Sequence, residues 1–228
     1  MKIFEVHEQF EMEILQYLNS SRLLDNLVFA GGTMLRLCYN MNRYSGDFHF
    51  YFSGKTVTKA DFETSKFFEK MLEMLRRNYV ISYSQDKFNT LLFELTHDRY
   101  PRRLKIEINK RKVFSEIKQV IAFSPFSTIQ VLVNSLSLDK MMENKVEALI
   151  DRKEVRDAFD IEFFIRRGIP FSGDDKVQKK VLKVLRGFSQ KDYKVKLGSL
   201  LPADIREYYQ TSGFQFLEQH LVSLMNQT

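Results

Sequence analysis

The sequence lacks several features that would mark a secreted or membrane protein. Its 228 residues contain no tryptophan and a single cysteine, Cys38. One cysteine excludes an intramolecular disulfide and is typical of a reducing compartment. The chain has no run of about 18 apolar residues, and its first residues contain no apolar signal segment. We therefore expect no membrane partner and a cytoplasmic location.

Acidic residues are also fewer than basic ones. Lysine and arginine number 35 against 29 acidic residues, which gives a net charge of +6 and an isoelectric point near 9.2. A basic balance suits a polyanionic partner such as RNA or a nucleotide. A basic surface without such a partner is the alternative.

The hydrophobic period changes near residue 134, from two residues to 3.6. The sequence predicts an α+β fold with two domains: residues 1–134, a mixed or antiparallel sheet with flanking helices, and residues 135–228, a helical bundle. The predicted strands are 27–30, 47–52, 79–83, 88–96, 103–109, 118–123 and 129–131. The predicted helices are 6–25, 33–39, 58–77, 136–152, 154–167, 176–186, 201–209 and 214–225.

Only nine glycines occur, and two of them, Gly31 and Gly32, are adjacent. They follow the apolar stretch 27–30, and Thr33 begins a helical pattern. Paired glycines let the backbone approach a phosphate closely, and a helix start offers free N–H groups and a positive dipole end. An ordinary turn is the alternative interpretation of the pair taken alone.

Polar residues share one face of two predicted strands. Phenylalanines alternate with polar residues from 47 to 52, so Asp47 and His49 face the same way. Two such residues could hold a divalent metal beside a triphosphate, although imidazole favours Zn²⁺ or Mn²⁺ over Mg²⁺. Glu107, on the strand 103–109, could complete a metal site and act as a general base. A solvated strand face is the alternative interpretation, both for Asp47 with His49 and for Glu107.

The helical half contains a further group of charged residues. Lys145 and Arg152 fall on one face of a predicted helix, with the small Ala148 between them. Arg156 and Asp160 follow on the next helix. An ordinary helix surface with charge pairing is the alternative. The basic side of the helix 176–186 is either a solvated face or a surface that contacts RNA.

Together these residues resemble the AbiEii/AbiGii toxin family of nucleotidyltransferases, over roughly residues 10–168. The resemblance rests on the Gly-Gly-Thr turn, the Arg43-x-Ser45-x-Asp47 segment, and a K-x4-K-x2-A-x3-R helix followed by R-D-x-x-D. It implies a polymerase-β-like core that transfers a nucleotide from a nucleoside triphosphate with Mg²⁺ or Mn²⁺. The implied acceptor is an RNA 3′ end such as that of tRNA, or a protein hydroxyl. The implied role is that of a toxin with a cognate antitoxin.

The resemblance also implies roles for single residues. Asp47, His49 and Glu107 would be metal ligands, and Lys145 and Asp160 would be catalytic with them. The residues that would bind the nucleotide are Gly31, Gly32, Thr33, Arg43, Ser45, Arg152 and Arg156.

The sequence departs from the family pattern at two positions. His49 stands where the family has a second aspartate, and Gly46 stands where an acidic residue is common. The loss of a carboxylate weakens the attraction for a metal ion. The sequence thus leaves two functions open: a metal-dependent nucleotidyltransferase, or a catalytically impaired pseudoenzyme that binds nucleotide, RNA or a partner protein in the same cleft.

Overall fold

The computed structural model of the protein describes residues 3–54, 64–113 and 115–226. The chain divides into two compact units, Met1–Leu136 and Ser137–Thr228. The first contains a seven-stranded sheet with helices, and the described elements of the second are helical. The predicted α+β fold is therefore confirmed.

The sheet of the N-terminal unit mixes parallel and antiparallel strands. Its strands are β1 (Leu27–Ala30), β2 (Asp47–Ser53), β3 (Val80–Asp86), β4 (Thr90–His97), β5 (Tyr100–Val113), β6 (Ile117–Phe123) and β7 (Gln130–Leu136). Their order is β3-β4-β5-β2-β1-β7-β6. β2 pairs with β5 in parallel, β1 pairs with β7 in parallel, and the other neighbours are antiparallel. The predicted strand 129–131 was too short, because β7 continues to the end of the unit.

In the described part of the unit the sheet is accompanied by three α-helices, α1 (Ile3–Ser20), α2 (Gly31–Tyr39) and α3 (Thr64–Arg76), and by a 3-10 turn at Leu24–Asn26. α1 packs on β5 and β7, and α2 packs on β2 and β6. α1 ends before the predicted residue 25, because Arg22 takes a left-handed φ of 57°. Residues 58–63 of the predicted helix 58–77 lie outside the described part of the chain.

The alternation in β2 orients the polar residues of the site. Phe48, Phe50 and Phe52 are buried, and Phe29 of β1 stacks on Phe50 with 4.9 Å between ring centroids. Successive side chains of a strand point to opposite faces. Burial of the phenylalanines therefore turns Asp47 and His49 to the other face of the sheet, as the sequence predicts.

The C-terminal unit is built from helices α4 (Leu138–Arg152), α5 (Val155–Arg166), α6 (Asp175–Leu185), α7 (Ala203–Ser212) and α8 (Gln215–Met225). Ser137 caps α4 by accepting a hydrogen bond from the Lys140 N–H. α4 packs on α5 and α6, and α6 packs on α8. A π-helical turn, Asp192–Leu197, lies between α6 and α7 and was not predicted.

Candidate functional site

The N-terminus of α2 presents uncapped backbone N–H groups. Its N-cap residue, Ala30, has no side chain that could accept from them, and the first turn contains no acidic residue. Gly31 opens the helix with a φ of +81°, a conformation that side chains with a Cβ rarely adopt. A helix start of this kind attracts anions through its N–H groups and its dipole.

Gly32 leaves a space that other side chains border. A Cβ at this position would lie 2.5 Å from Nη2 of Arg43 and 2.9 Å from Oγ of Ser45. Arg43 is 3% exposed and donates from Nη1 to the Tyr44 carbonyl at 3.1 Å. The absence of a Cβ thus lets a buried guanidinium reach the start of the helix. We call this group of five residues the cradle: Gly31, Gly32, Thr33, Arg43 and Ser45.

Thr33 joins the cradle to the first residue of β2. Its hydroxyl donates to the backbone carbonyl of Asp47 at 2.7 Å and lies 3.0 Å from Oγ of Ser45. Thr33 is completely buried, whereas Asp47 is exposed. The bond fixes the strand end that carries the Asp47 carboxylate at the edge of the cradle.

The three expected metal ligands do not form a carboxylate cluster. His49 pairs in register with Glu107, and its Nδ1 lies 4.0 Å from Oε2 of Glu107. Lys105 pairs in register with Asp47, and its Nζ lies 2.9 Å from the same Glu107 oxygen. Within residues 3–54, 64–113 and 115–226, no three His, Cys, Asp or Glu side chains are grouped so that they could hold a metal ion. Mg²⁺ prefers hard oxygen ligands, so this arrangement does not fit a magnesium centre.

His49 packs against the helix start. A Cβ on Gly31 would lie 3.0 Å from the Cδ2 atom of His49 and 3.2 Å from its Cβ. Since Ala30 pairs with His49 across β1 and β2, the two strands hold the ring in this place. His49 therefore borders the cradle as a ring in contact with the backbone.

A buried pair on α1 lies behind the beginning of β2. The imidazole Nε2 of His7 lies 3.1 Å from the Gly46 carbonyl and 3.7 Å from Oε1 of Glu11. Glu11 is completely buried, and burial, with the charge of Glu8 adding to it, raises its pKa well above 4.5. Burial lowers the pKa of His7 below 6.5. Both effects favour an uncharged pair in contact with the residue before Asp47.

The residues predicted in the C-terminal unit form an ion-pair network between α4 and α5. Lys145 Nζ lies 3.0 Å from Oδ1 of Asp157 and 2.7 Å from Oδ2 of Asp160. Arg152 reaches the same Asp157 oxygen at 3.1 Å. Both aspartates are completely buried. Arg156 is exposed, and the network does not include it.

The same unit carries a strongly basic segment. Between residues 176 and 196 the sequence has eight lysines or arginines and one acid, Asp192, an excess larger than that of the whole chain. Part of this segment borders a cavity of about 480 Å³, which we call the lysine groove. It is lined by Ile150, Lys153, Lys180, Lys183, Val184, Gly187, Phe188, Asp192 and Lys196.

Charge in the lysine groove is only partly neutralised. Lys196 pairs with Asp192 at 2.8 Å. Lys153, Lys180 and Lys183 make no ion pair with any residue that the structure describes. The half-buried ring of Phe188 adds an aromatic wall. Basic side chains beside an aromatic ring are typical of surfaces that bind single-stranded nucleic acid.

Three important residues were missed or given no role in the sequence prediction. Lys105 was grouped with Glu107 on a polar strand face and with the basic residues around it, but its position opposite Asp47 was missed, because that position depends on the parallel pairing of β2 and β5. His7 and Glu11 gave no signal beyond a spacing of four residues, which suits an exposed helix face equally. Cys38 is half-buried, and burial raises the pKa of its thiol to about 12.

Comparison with known proteins assigns this chain to a family. The family model described as "Nucleotidyl transferase AbiEii toxin, Type IV TA system" matches residues 13–220. The chain therefore belongs to the AbiEii family of nucleotidyltransferase toxins, as its resemblance indicated. Among curated proteins no match is found.

Two solved structures from Helicobacter pylori share the fold. JHP933 is 16% identical, with a TM-score of 0.54 and 96% of each chain covered. A proposed nucleotidyltransferase is also 16% identical, with a TM-score of 0.57, covering 95% of this chain and 97% of its own. These likenesses support the fold assignment.

None of the helices in the described ranges combines the length and the apolar character that crossing a membrane requires.

Proposed function

We propose that the protein transfers a nucleotide from a nucleoside triphosphate to an acceptor, with the phosphates held in the cradle. The observation that carries this proposal is the space at Gly32, bordered by Arg43 and Ser45 at the uncapped start of α2. Membership of the AbiEii family supports it. A buried guanidinium and a helix N-terminus together suit an anion with several charges.

The chemistry requires two actions from this chain, stabilisation of the leaving group and acceptance of a proton. An acceptor hydroxyl attacks the α-phosphate, and the bond to pyrophosphate breaks. Arg43 and the α2 N–H groups would stabilise the charge that grows on the departing pyrophosphate. A carboxylate of the polar strand face, Asp47 or Glu107, would receive the proton of the attacking hydroxyl. The involvement of Mg²⁺ or Mn²⁺, and catalytic roles for Lys145 and Asp160, stay predictions.

The acceptor that we propose is RNA, such as the 3′ end of tRNA. Support comes from the lysine groove, where Lys153, Lys180 and Lys183 form no ion pair with any of the described residues. Phosphate contacts from lysines supply most of the affinity of a protein for nucleic acid. The family description, a Type IV toxin, supports the further proposal that a cognate antitoxin counteracts the protein.

The experiment offers the four nucleoside triphosphates, labelled at the α-phosphate, with total tRNA and either Mg²⁺ or Mn²⁺. Label should appear in RNA for at least one nucleotide, while a γ-phosphate label should leave as pyrophosphate. Gly32→Ala should abolish transfer, because the new Cβ displaces Arg43 and Ser45. Gly168→Ala, in the C-terminal unit, is the control, because nothing lies within 4 Å of a Cβ there; its φ of +77° strains an alanine, so its melting temperature is measured alongside.

Nucleotide binding without transfer is the second candidate. It is favoured by Glu107, whose Oε2 already contacts Lys105 at 2.9 Å, and by an imidazole in place of a carboxylate at His49. Absence of label transfer with either metal, combined with nucleotide binding that Gly32→Ala abolishes, would select this candidate. Transfer of label to RNA by the wild-type protein would exclude it.

A further inference from the structure

Four polar side chains form a block where β2 and β5 run in parallel. The register pairs Asp47 with Lys105 and His49 with Glu107. Residues two apart on a strand share a face, and paired strands lie about 4.8 Å apart. Lys105 therefore lies among Asp47, His49 and Glu107, the residues that the family pattern would make metal ligands.

Lys105 already occupies the carboxylate that a metal would need. Its Nζ lies 2.9 Å from Oε2 of Glu107, and Nδ1 of His49 lies 4.0 Å from that same oxygen. The side chains of Lys105 and Glu107 are each 34% exposed, so a ligand can reach them. A divalent ion would have to displace an ammonium before it could bind Glu107.

The block also carries less negative charge than a cluster of three carboxylates would. One ammonium offsets one of its two carboxylates, Asp47 and Glu107, which leaves one net negative charge, and His49 brings none. Three carboxylates would offer a magnesium ion a much stronger field. A triphosphate, in contrast, needs positive charge, and this chain supplies it from Arg43, the start of α2 and Lys105.

The block and the cradle are continuous. Thr33 of the cradle donates to the carbonyl of Asp47 at 2.7 Å, and Asp47 is the register partner of Lys105. A lysine ammonium is protonated at neutral pH, and that of Lys105 lies 2.9 Å from the Glu107 carboxylate. Lys105 therefore stays positively charged next to the place where the phosphates are expected.

We propose that Lys105 is the resident cation of this site: its ammonium contacts the nucleotide phosphates, and the protein binds a nucleoside triphosphate without a divalent metal. This inference rests on the proposed function, because it requires the cradle to hold the triphosphate. It gives the lysine a direct contact with the ligand, beyond its contact with Glu107.

Titration calorimetry of the full-length protein with ATP and GTP tests the proposal, in EDTA and in excess Mg²⁺. The wild-type protein should bind in EDTA with an affinity close to that in Mg²⁺. Lys105→Gln should lose about tenfold in EDTA, the usual effect of removing one charge-assisted contact. Mg²⁺ should restore part of that loss, because Glu107 is then free to bind it. Lys118→Gln, an exposed lysine on β6, should bind like the wild type.

The outcomes separate the two proposals. Binding that requires Mg²⁺ in the wild-type protein would overturn the inference and leave the proposed function standing. Equal affinities of the wild type and Lys105→Gln in EDTA would also overturn it. Absence of binding in both buffers would reject the triphosphate site itself. Thermal unfolding of Lys105→Gln should match that of the wild type, so that a folding defect is recognised.

Discussion

The ammonium of Lys145 lies 2.7 Å from a carboxylate oxygen of Asp160 that is completely shielded from water. Lys145 contacts Asp157 as well, and its own side chain is only 12% exposed. A buried ion pair of this kind is costly to break, because the remaining charges lose their partner and cannot reach water. The lysine therefore has a structural role on α4, whatever its part in catalysis.

Replacing Lys145 should destabilise the C-terminal unit. We expect Lys145→Met to lower the free energy of unfolding by about 3–5 kcal/mol, the usual cost of removing one partner of a buried pair. Urea denaturation measures the change. Lys140→Met on the same helix is the control, since its pair with Glu143 is partly exposed, at 31% and 41% of the two side chains, and exposed pairs contribute about 0–1 kcal/mol. If the Lys145→Met protein is as stable as the control, Lys145 has no structural role on α4.

Gly31→Ala should destabilise the N-terminal unit for two reasons. The φ of +81° costs a residue with a Cβ about 1–2 kcal/mol, and the new Cβ would lie 3.0 Å from Cδ2 of His49. Gly168→Ala isolates the first effect, because its φ is +77° and nothing lies within 4 Å of a Cβ. We expect Gly31→Ala to lower the melting temperature more than Gly168→Ala does. In a His49→Ala background the difference between the two should shrink.

The stability of the protein should depend on pH through Glu11. An unfolded chain loses this proton near pH 4.5, whereas burial lets the folded protein keep it to higher pH. Raising the pH above 4.5 therefore removes stability, by up to about 1.4 kcal/mol per unit. Glu11→Gln cannot ionise and avoids this loss. Its free energy of unfolding should therefore increase relative to that of the wild type as the pH rises from 5 to 8.

Urea denaturation at several pH values measures the difference between the two proteins. Glu69→Gln, an exposed change on α3, is the control and should follow the wild type at every pH. A constant difference between Glu11→Gln and the wild type would show that Glu11 ionises normally in the folded protein.

Lysines of the groove should determine how RNA binding depends on salt. Under the proposal that RNA occupies the groove, Lys180→Gln and Lys183→Gln would each remove one phosphate contact, which should lower the slope of log affinity against log salt by about one. Filter binding of tRNA at several salt concentrations measures this slope. Lys194→Gln changes a lysine of the same segment that does not line the groove, and it should leave the slope unchanged. A uniform response of all three would mean that RNA contacts no defined groove.

Local patterns allowed much of the fold to be predicted from the sequence. The alternation around Phe48 and Phe50 predicted β2 and the side to which Asp47 points, because burial of one face fixes the other. The junction of strand and helix at Gly31 and Gly32 was also predicted from local residues, although α2 begins at Gly31 and not at the predicted Thr33.

The features of the fold and the site that could not be predicted depend on contacts between residues far apart in the sequence. Parallel pairing of β2 with β5 joins residues that are 58 positions apart, as in Asp47 and Lys105, and no local pattern sets that register. The burial of Glu11 could not be predicted either, because polar residues at helical spacing indicate an exposed face. The lysine that distinguishes this site was therefore visible in the sequence only as one more basic residue.

The central position of β1 has a consequence for synthesis on the ribosome. β1 precedes the cradle directly, yet its neighbour β7 comes at residues 130–136, the last strand of the N-terminal unit. A nascent chain that has produced the cradle residues must wait for β5 and then β7 before the sheet can close around them. The growing polypeptide thus carries an unfinished cradle until more than half of it has been translated.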